Sequence, residues 1–267
     1  MTLSLDPNGP IGVFDSGVGG LTVLRALQAQ LPHERFIYVA DNGHAPYGDK
    51  SPEFITERSE KIAAFLQAEG AKALVIACNT ATAAAAQQLR TRWPAWPIIG
   101  IEPAVKPATM LTKTGVVGIL ATTNTLASEK FRQLVARFAD NAKVVVQACP
   151  GLVDEIEQGH FDSPRLQSLL TEYIGALQAA QADVIVLGCT HYPFVRKQIQ
   201  AIAGSDVQII ETGQAVAREL RRRLNEENIL APQSSQGMKL YSTGKTVTLE
   251  RIASQYCGLS QAIERVI

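Results

Sequence analysis

The sequence predicts an α/β protein with mostly parallel sheets, and three observations carry that prediction. Apolar runs of strand length alternate with amphipathic stretches of helix length almost throughout the chain. The apolar runs are rich in Val and Ile and nearly continuous, the pattern of strands covered on both faces. Two of them, "ALVIACNT" at 73–80 and "VIVLGCTH" at 184–191, end alike, on a cysteine followed by polar side chains.

Eight strands are expected. They are "IGVFD" (11–15), "FIYVA" (36–40), "ALVIAC" (73–78), "PIIGI" (97–101), "GVVGIL" (115–120), "KVVVQAC" (143–149), "DVIVLGC" (183–189) and "VQIIE" (207–211). Between them, "LTVLRALQAQL" and "FITERSEKIAAFLQAEG" repeat apolar residues at spacings of three and four, as one face of a helix does. Ser51-Pro52 and Ser163-Pro164 each present a hydroxyl N-cap followed by proline in the first helical position. "AKALVIACNTATAAAAQQL" and "ADVIVLGCTHYPFVRKQI" echo one another faintly, which allows two similar lobes with one cysteine apiece. Pro103 and Pro107 in "IEPAVKP" interrupt regular structure and mark a boundary, with residues 1–101 in the first lobe and 102–213 in the second.

Bulk composition excludes several function classes. The chain has 267 residues, of which 46% are hydrophobic, enough for one large domain or two ordinary ones. Its 25 basic and 25 acidic residues cancel, so no nucleic-acid or membrane partner is suggested. The densest basic cluster, Arg218 with Arg221, Arg222 and Arg223, is followed at once by Glu226 and Glu227 and reads as a solvated helix face. The start lacks the basic segment and long apolar core of a signal peptide. No run of about 18 apolar residues is present to span a bilayer. The four cysteines, Cys78, Cys149, Cys189 and Cys257, form no C-x-x-C pair, and a cytoplasmic chain with free thiols is expected.

Ligands of open α/β sheets sit beyond the carboxyl ends of the strands. There the sequence places Asp15-Ser16, Asp41-Asn42, Cys78-Asn79-Thr80 and Cys189-Thr190-His191. Acids, thiols and hydroxyls at four such ends suggest one site. "DSGVGG" (15–20) fails the dinucleotide pattern because position 22 is Thr, so its glycines are expected to permit a tight turn and open amides at a helix start. "STGKT" (242–246) fails as a P-loop because position 239 is Lys. Cys189 and His191 offer only two of the four ligands a structural zinc site wants, so no metal is expected. Cys149 and Cys257 read as small buried hydrophobes, and His33 and His160 as loop residues. His44, in "NGHAPYG", is placed equally well in the site or on an exposed loop.

Together "VFDSGVGGLTVL", "PYGDKS", "IACNTATA" and "LGCTHYPF" closely resemble the glutamate racemases of the cofactor-independent aspartate/glutamate racemase superfamily. The resemblance covers roughly residues 10–220, with the motifs in family order. It implies two α/β lobes with the active site in the cleft between them and a C-terminal segment, 214–267, returning to the first lobe. The expected reaction is L- to D-glutamate without cofactor, supplying peptidoglycan synthesis. Where many members have Gly-Asp-Thr, this chain has Ala40-Asp41-Asn42, which keeps the acid and changes the loop beside it.

The resemblance also assigns roles. Racemisation removes the α-proton from one face and returns a proton to the other, so two acid/base groups must flank the α-carbon. A thiol suits the task, since its reference pKa of about 8.5 leaves a few per cent thiolate near neutrality. Cys78 and Cys189 are the implied pair. Asp15 is expected to assist Cys78, with His191 and Glu157 assisting Cys189 and Glu155 competing for the last role. Asp15, Ser16, Tyr47, Gly48, Asn79, Thr80, Thr190 and His191 are the expected substrate contacts. The resemblance leaves a homodimer and activation by a cell-wall precursor nucleotide open. An aspartate racemase, a Cys189–His191 acyl-transfer enzyme and a non-catalytic binding module remain competing readings.

Overall fold

Strands that are apolar on both faces need cover on both, and the chain meets that need with two separate helix-flanked sheets. The computed structural model describes residues 5–138, 140, 142–232 and 237–266. The chain divides into two compact units, Met1–Ile101 with Gly213–Ile267, and Glu102–Thr212.

The first stretch runs β1 (Ile11–Asp15), α1 (Gly20–Gln30), β2 (Arg35–Ala40), α2 (Pro52–Ala68), β3 (Ala73–Ile76), α3 (Asn79–Arg92) and β4 (Ile98–Gly100). The second unit follows with α4 (Val105–Leu111), β5 (Val116–Ala121), α5 (Thr123–Ala127), α6 (Glu129–Ala136) and β6 (Lys143–Ala148). It closes with α7 (Leu152–Glu157), α8 (Pro164–Ala179), β7 (Val184–Leu187), α9 (Arg196–Ala203) and β8 (Gln208–Ile210). The chain then completes the first unit with α10 (Gly213–Glu226), β9 (Gly237–Ser242), α11 (Val247–Cys257) and β10 (Ile263–Arg265).

In the first unit six parallel strands lie in the order β10-β9-β2-β1-β3-β4. The chain leaves β1 for β2 on one side and later takes β3 on the other, so the strand order reverses at β1. Asp15 ends that strand. The second unit holds four parallel strands in the order β6-β5-β7-β8, with the same reversal at β5. Ligands of such sheets bind at these reversal points, beyond the carboxyl ends.

The first core gathers Phe14, Val39 and Ile76 from the sheet with Ile55, Ile62 and Leu66 from α2, all at most 1% exposed. Each such side chain contributes roughly 1.5–3 kcal/mol by leaving water. The second core joins Val117, Ile119, Val184 and Val186 with Val105 and Ala108 of α4. Both serine caps form: Ser51 Oγ accepts from Phe54 N at 3.2 Å, and Ser163 Oγ from Leu166 N at 3.0 Å.

Three details differ from the sequence-based expectation. β3 and β7 stop two residues short of their cysteines, which belong to the turns beyond. β6 is an edge strand with Val146 46% exposed, so its valines reflect β-propensity rather than two-sided cover. β9 and β10 were not expected as strands: Lys239 interrupts "GMKLYS", and Ile263 is the one apolar residue of β10. Arg218, Arg221 and Arg222 of the basic cluster on α10 are solvated, with Arg222 paired to Glu219 and Glu226, whereas Arg223 is half-buried. Among the described residues, no helix is long and apolar enough to cross a membrane.

Candidate active site

In the first unit the carboxyl ends of β2, β1 and β3 are adjacent, which brings Asp41, Asp15 and Cys78 to one end of the sheet. The register continues just past the strands: Asp41 N donates to Asp15 O at 2.9 Å, and Ala77 N to Phe14 O at 2.8 Å. Asp15 is fully buried, and its Oδ1 accepts from Gly17 N at 2.8 Å and from Ser16 Oγ at 3.4 Å. Space, not conformation, demands the glycine at position 20, because a Cβ there would sit 2.6 Å from the Asp15 Cβ.

Cys78 is the N-cap of α3, and its Sγ accepts from Ala81 N at 3.4 Å. The sulfur therefore faces the amide end of a fourteen-residue helix, where the backbone dipole favours a thiolate. Ser16 Oγ lies 3.9 Å from it. Asn79 and Thr80, the first residues of α3, are buried beside it. The side-chain amide of Asn79 donates weakly to Ile101 O at 3.4 Å, while its buried Oδ1 has no hydrogen-bond partner among the described residues. A buried acceptor left unsatisfied is costly, so a ligand N–H is its natural complement.

Tyr47 and Gly48 sit in a 3-10 turn, Tyr47–Asp49, with Tyr47 buried and Gly48 half-buried. The Tyr47 hydroxyl donates to Asp41 Oδ2 at 2.5 Å, and Arg58 grips the same carboxylate through Nε at 3.0 Å and Nη2 at 2.7 Å. Burial alone would raise the pKa of Asp41, but hydrogen bonds from Arg58, Tyr47 and Thr243 reverse this and hold it below the ordinary carboxylate value. Burial and the Asp41 charge push the Tyr47 phenol well up, so it stays a donor. His44 is also on Asp41, with Nδ1 3.0 Å from Oδ1, and is about one-third exposed.

Arg58 and Thr243 were missed from the sequence. The signal for Arg58 was present: Ile55, Arg58, Ser59, Ile62 and Leu66 share the buried stripe of α2. An arginine within such a stripe implies a buried anion facing it.

In the second unit Cys189 and Thr190 follow β7 and are buried, as is His191. His191 Nδ1 lies 3.6 Å from Cys189 Sγ, and its Nε2 is hydrogen-bonded to Glu157 Oε1. Burial opposes a charge on this imidazole, yet the hydrogen bonds to Cys189 and Glu157 raise its pKa well above the usual value. The helical phase of α7 separates the two acids: residues two apart point to nearly opposite sides. Glu157 faces His191, whereas Glu155 accepts from Ser163 Oγ at 2.7 Å and lies 3.4 Å from Arg165 Nε.

The other two thiols differ. Burial pushes Cys149 up to about 12 and Cys257 up to about 11. His33 and His160 are exposed, the latter 3.5 Å from Glu155. Among the described residues, no group of three or more His, Cys, Asp or Glu side chains gathers as a metal site would require.

The Asp/Glu/Hydantoin racemase model matches residues 11–220. The chain is 50% identical over 257 residues to a glutamate racemase of Pseudomonas putida, covering 96% of this chain and 97% of that one. Its backbone is similar to that of a glutamate racemase isoform from Bacillus anthracis, with a TM-score of 0.89, 34% identity and 98% of each chain covered. The glutamate racemase of Escherichia coli in complex with L-glutamate and the activator UDP-MurNAc-Ala gives a TM-score of 0.86 at 30% identity, covering 97% of this chain and 98% of that one. On the match to the family model and to relatives along nearly their whole length, the chain belongs to the Asp/Glu/Hydantoin racemase family.

Proposed function

We propose that this protein interconverts L- and D-glutamate without cofactor, using Cys78 and Cys189 as alternating base and acid, and so supplies D-glutamate for peptidoglycan. One observation carries the reading: each of the two strand-end cysteines has its own means of handling a proton. Cys78 caps a helix whose amide end favours the thiolate. Cys189 stands beside an imidazole backed by a carboxylate. A thiolate on one face of the substrate takes the α-proton, and the thiol on the other returns one. In the reverse direction the two exchange roles.

Asp15 is assigned to assist Cys78, and His191 with Glu157 to assist Cys189. Ser16, Tyr47, Gly48, Asn79, Thr80, Thr190 and His191 are assigned to hold the substrate together with Asp15. The unpartnered Asn79 Oδ1 suits the substrate ammonium, and hydroxyls and amides at the α3 start suit a carboxylate. Likeness to the Escherichia coli enzyme makes a UDP-MurNAc-Ala-type nucleotide the regulatory partner proposed for this chain.

Polarimetry on each glutamate enantiomer tests the activity, after dialysis against chelator and treatment with a carbonyl reagent. Racemisation should persist. Loss of activity restored by adding a metal or pyridoxal phosphate would refute the cofactor-free reading. Aspartate as sole substrate tests the nearest rival, and rates with and without the nucleotide test the partner.

A further inference from the structure

The "STGKT" stretch, which fails as a phosphate loop, has another use in the fold. β9 runs parallel to β2 with Ser242 opposite Ala40, and Thr243 N continues the ladder to Ala40 O at 3.0 Å. Past the strand ends, side chains take over the pairing. Thr243 Oγ1 donates to Asp41 Oδ1 at 2.8 Å and accepts from Gly43 N at 3.1 Å. Asn42 Nδ2 donates to Lys245 O at 2.6 Å, and its Oδ1 accepts from Ser242 Oγ at 2.7 Å and Gly244 N at 3.0 Å. The backbones meet so closely that a Cβ on Gly43 would lie 2.7 Å from Thr243 O. Asn42 is thus the centre of a latch.

Asp41 joins this latch to the Tyr47 turn. Its Oδ1 contacts Arg58, Thr243 and His44, and its Oδ2 contacts Arg58 and Tyr47. A carboxylate offers about four lone-pair directions, so these five contacts leave Asp41 no capacity for a ligand. It is therefore a joint rather than a base.

We infer that the 242–245 segment acts through Asp41 to hold the Tyr47–Gly48 turn in its binding geometry, with Thr243, Asn42 and Arg58 as positioning residues. The inference rests on the assignment of Tyr47 and Gly48 to the substrate. A latch of this kind acts on the binding of substrate and transition state alike, and so on KM more than on kcat.

The test uses the full chain with Thr243→Val, which keeps the shape and removes the hydroxyl, and Thr243→Ser, which restores the hydroxyl. KM should rise roughly tenfold in Thr243→Val with kcat held within about twofold, and the serine variant should recover the wild-type KM. The fall in kcat/KM must be equal for L- and D-glutamate, since the equilibrium constant between mirror images is one. A merely misfolded fraction would lower apparent kcat and leave KM alone, which would overturn the inference. Amide hydrogen exchange supplies a readout independent of the substrate. Thr243→Val should speed exchange at His44 and Lys50, whose amides bond to Asp41 O and Tyr47 O, while residues 184–191 exchange as before. Unchanged exchange there overturns the latch even if glutamate is racemised; faster exchange without glutamate turnover keeps the latch and sinks the substrate assignment. If Thr243→Val does not fold, Asn42→Ala carries the same expectations.

Discussion

His191 Nδ1 lies 3.6 Å from Cys189 Sγ, while the opposite ring nitrogen is hydrogen-bonded to Glu157. The carboxylate fixes the ring's orientation and favours its protonated form, so the imidazole presents an N–H toward the sulfur. Cys78 Sγ instead accepts from Ala81 N at the amide end of α3.

This inequality predicts an unequal response to His191→Asn. Cys189 loses its proton-handling neighbour and Cys78 does not, so the two kcat values should fall by different factors. The two kcat/KM values must fall together, because their ratio equals an equilibrium constant of one. Initial rates from each enantiomer check both statements. Equal proportional falls in kcat would argue against a role for His191 at one thiol.

Glu157 and Glu155 should separate cleanly. Glu157→Gln removes the charge that supports His191 and should lower kcat/KM at least tenfold. Glu155→Gln disturbs the Ser163, Arg165 and His160 contacts, and should cost about 1 kcal/mol of stability with kinetics nearly intact. Steady-state rates and urea melts on both variants distinguish them. A reversal of the two outcomes would place the assisting acid at Glu155.

The four thiols should divide two and two. Cys78→Ala and Cys189→Ala should each nearly abolish racemisation, whereas Cys149→Ala and Cys257→Ala should retain it. The last two thiols are pushed up to about 12 and about 11. At pH 8 their thiolate fractions are about one in ten thousand and one in a thousand. Mass-spectrometric mapping of iodoacetamide adducts should accordingly find Cys149 and Cys257 unmodified while activity is lost.

Stability should carry the His191 signature in its pH dependence. Its folded-state pKa is raised, by the Cys189 and Glu157 hydrogen bonds acting against burial. The linked stabilisation is therefore complete below the unfolded value of about 6.5 and is lost as pH rises through the folded value. The Tm gap between wild type and His191→Asn should be widest near pH 6 and should shrink on the alkaline side. A gap that widens with rising pH would contradict the raised value.

The parts of the fold legible in the sequence were those written as local patterns. "IGVFD" and "VIVLGC" announce buried strands by continuous apolar character, and Ser51-Pro52 announces a helix start. Cys78 and Cys189 stood out because a thiol followed by polar residues is a poor end for a purely structural strand. What was not legible depends on long-range pairing. β9 becomes a strand through β2, some two hundred residues away, so Thr243 could not be linked to Asp41 beforehand. The choice between Glu155 and Glu157 turned on helical phase, and six residues of α7 are too short to show it by periodicity. Arg58 was hidden for the opposite reason: an arginine among helix residues reads as a solvated face unless its place in the apolar stripe is counted.

The central claim is that two groups, not one, move the proton, and isotope placement tests it most directly. L-glutamate is incubated with the protein in deuterium oxide, and α-hydrogen content and configuration are followed by proton NMR and chiral separation at low conversion. The account predicts that D-glutamate forms carrying solvent deuterium at the α-carbon, while recovered L-glutamate retains its proton. D-glutamate that keeps the substrate's own proton, or L-glutamate that exchanges freely without inversion, would contradict it.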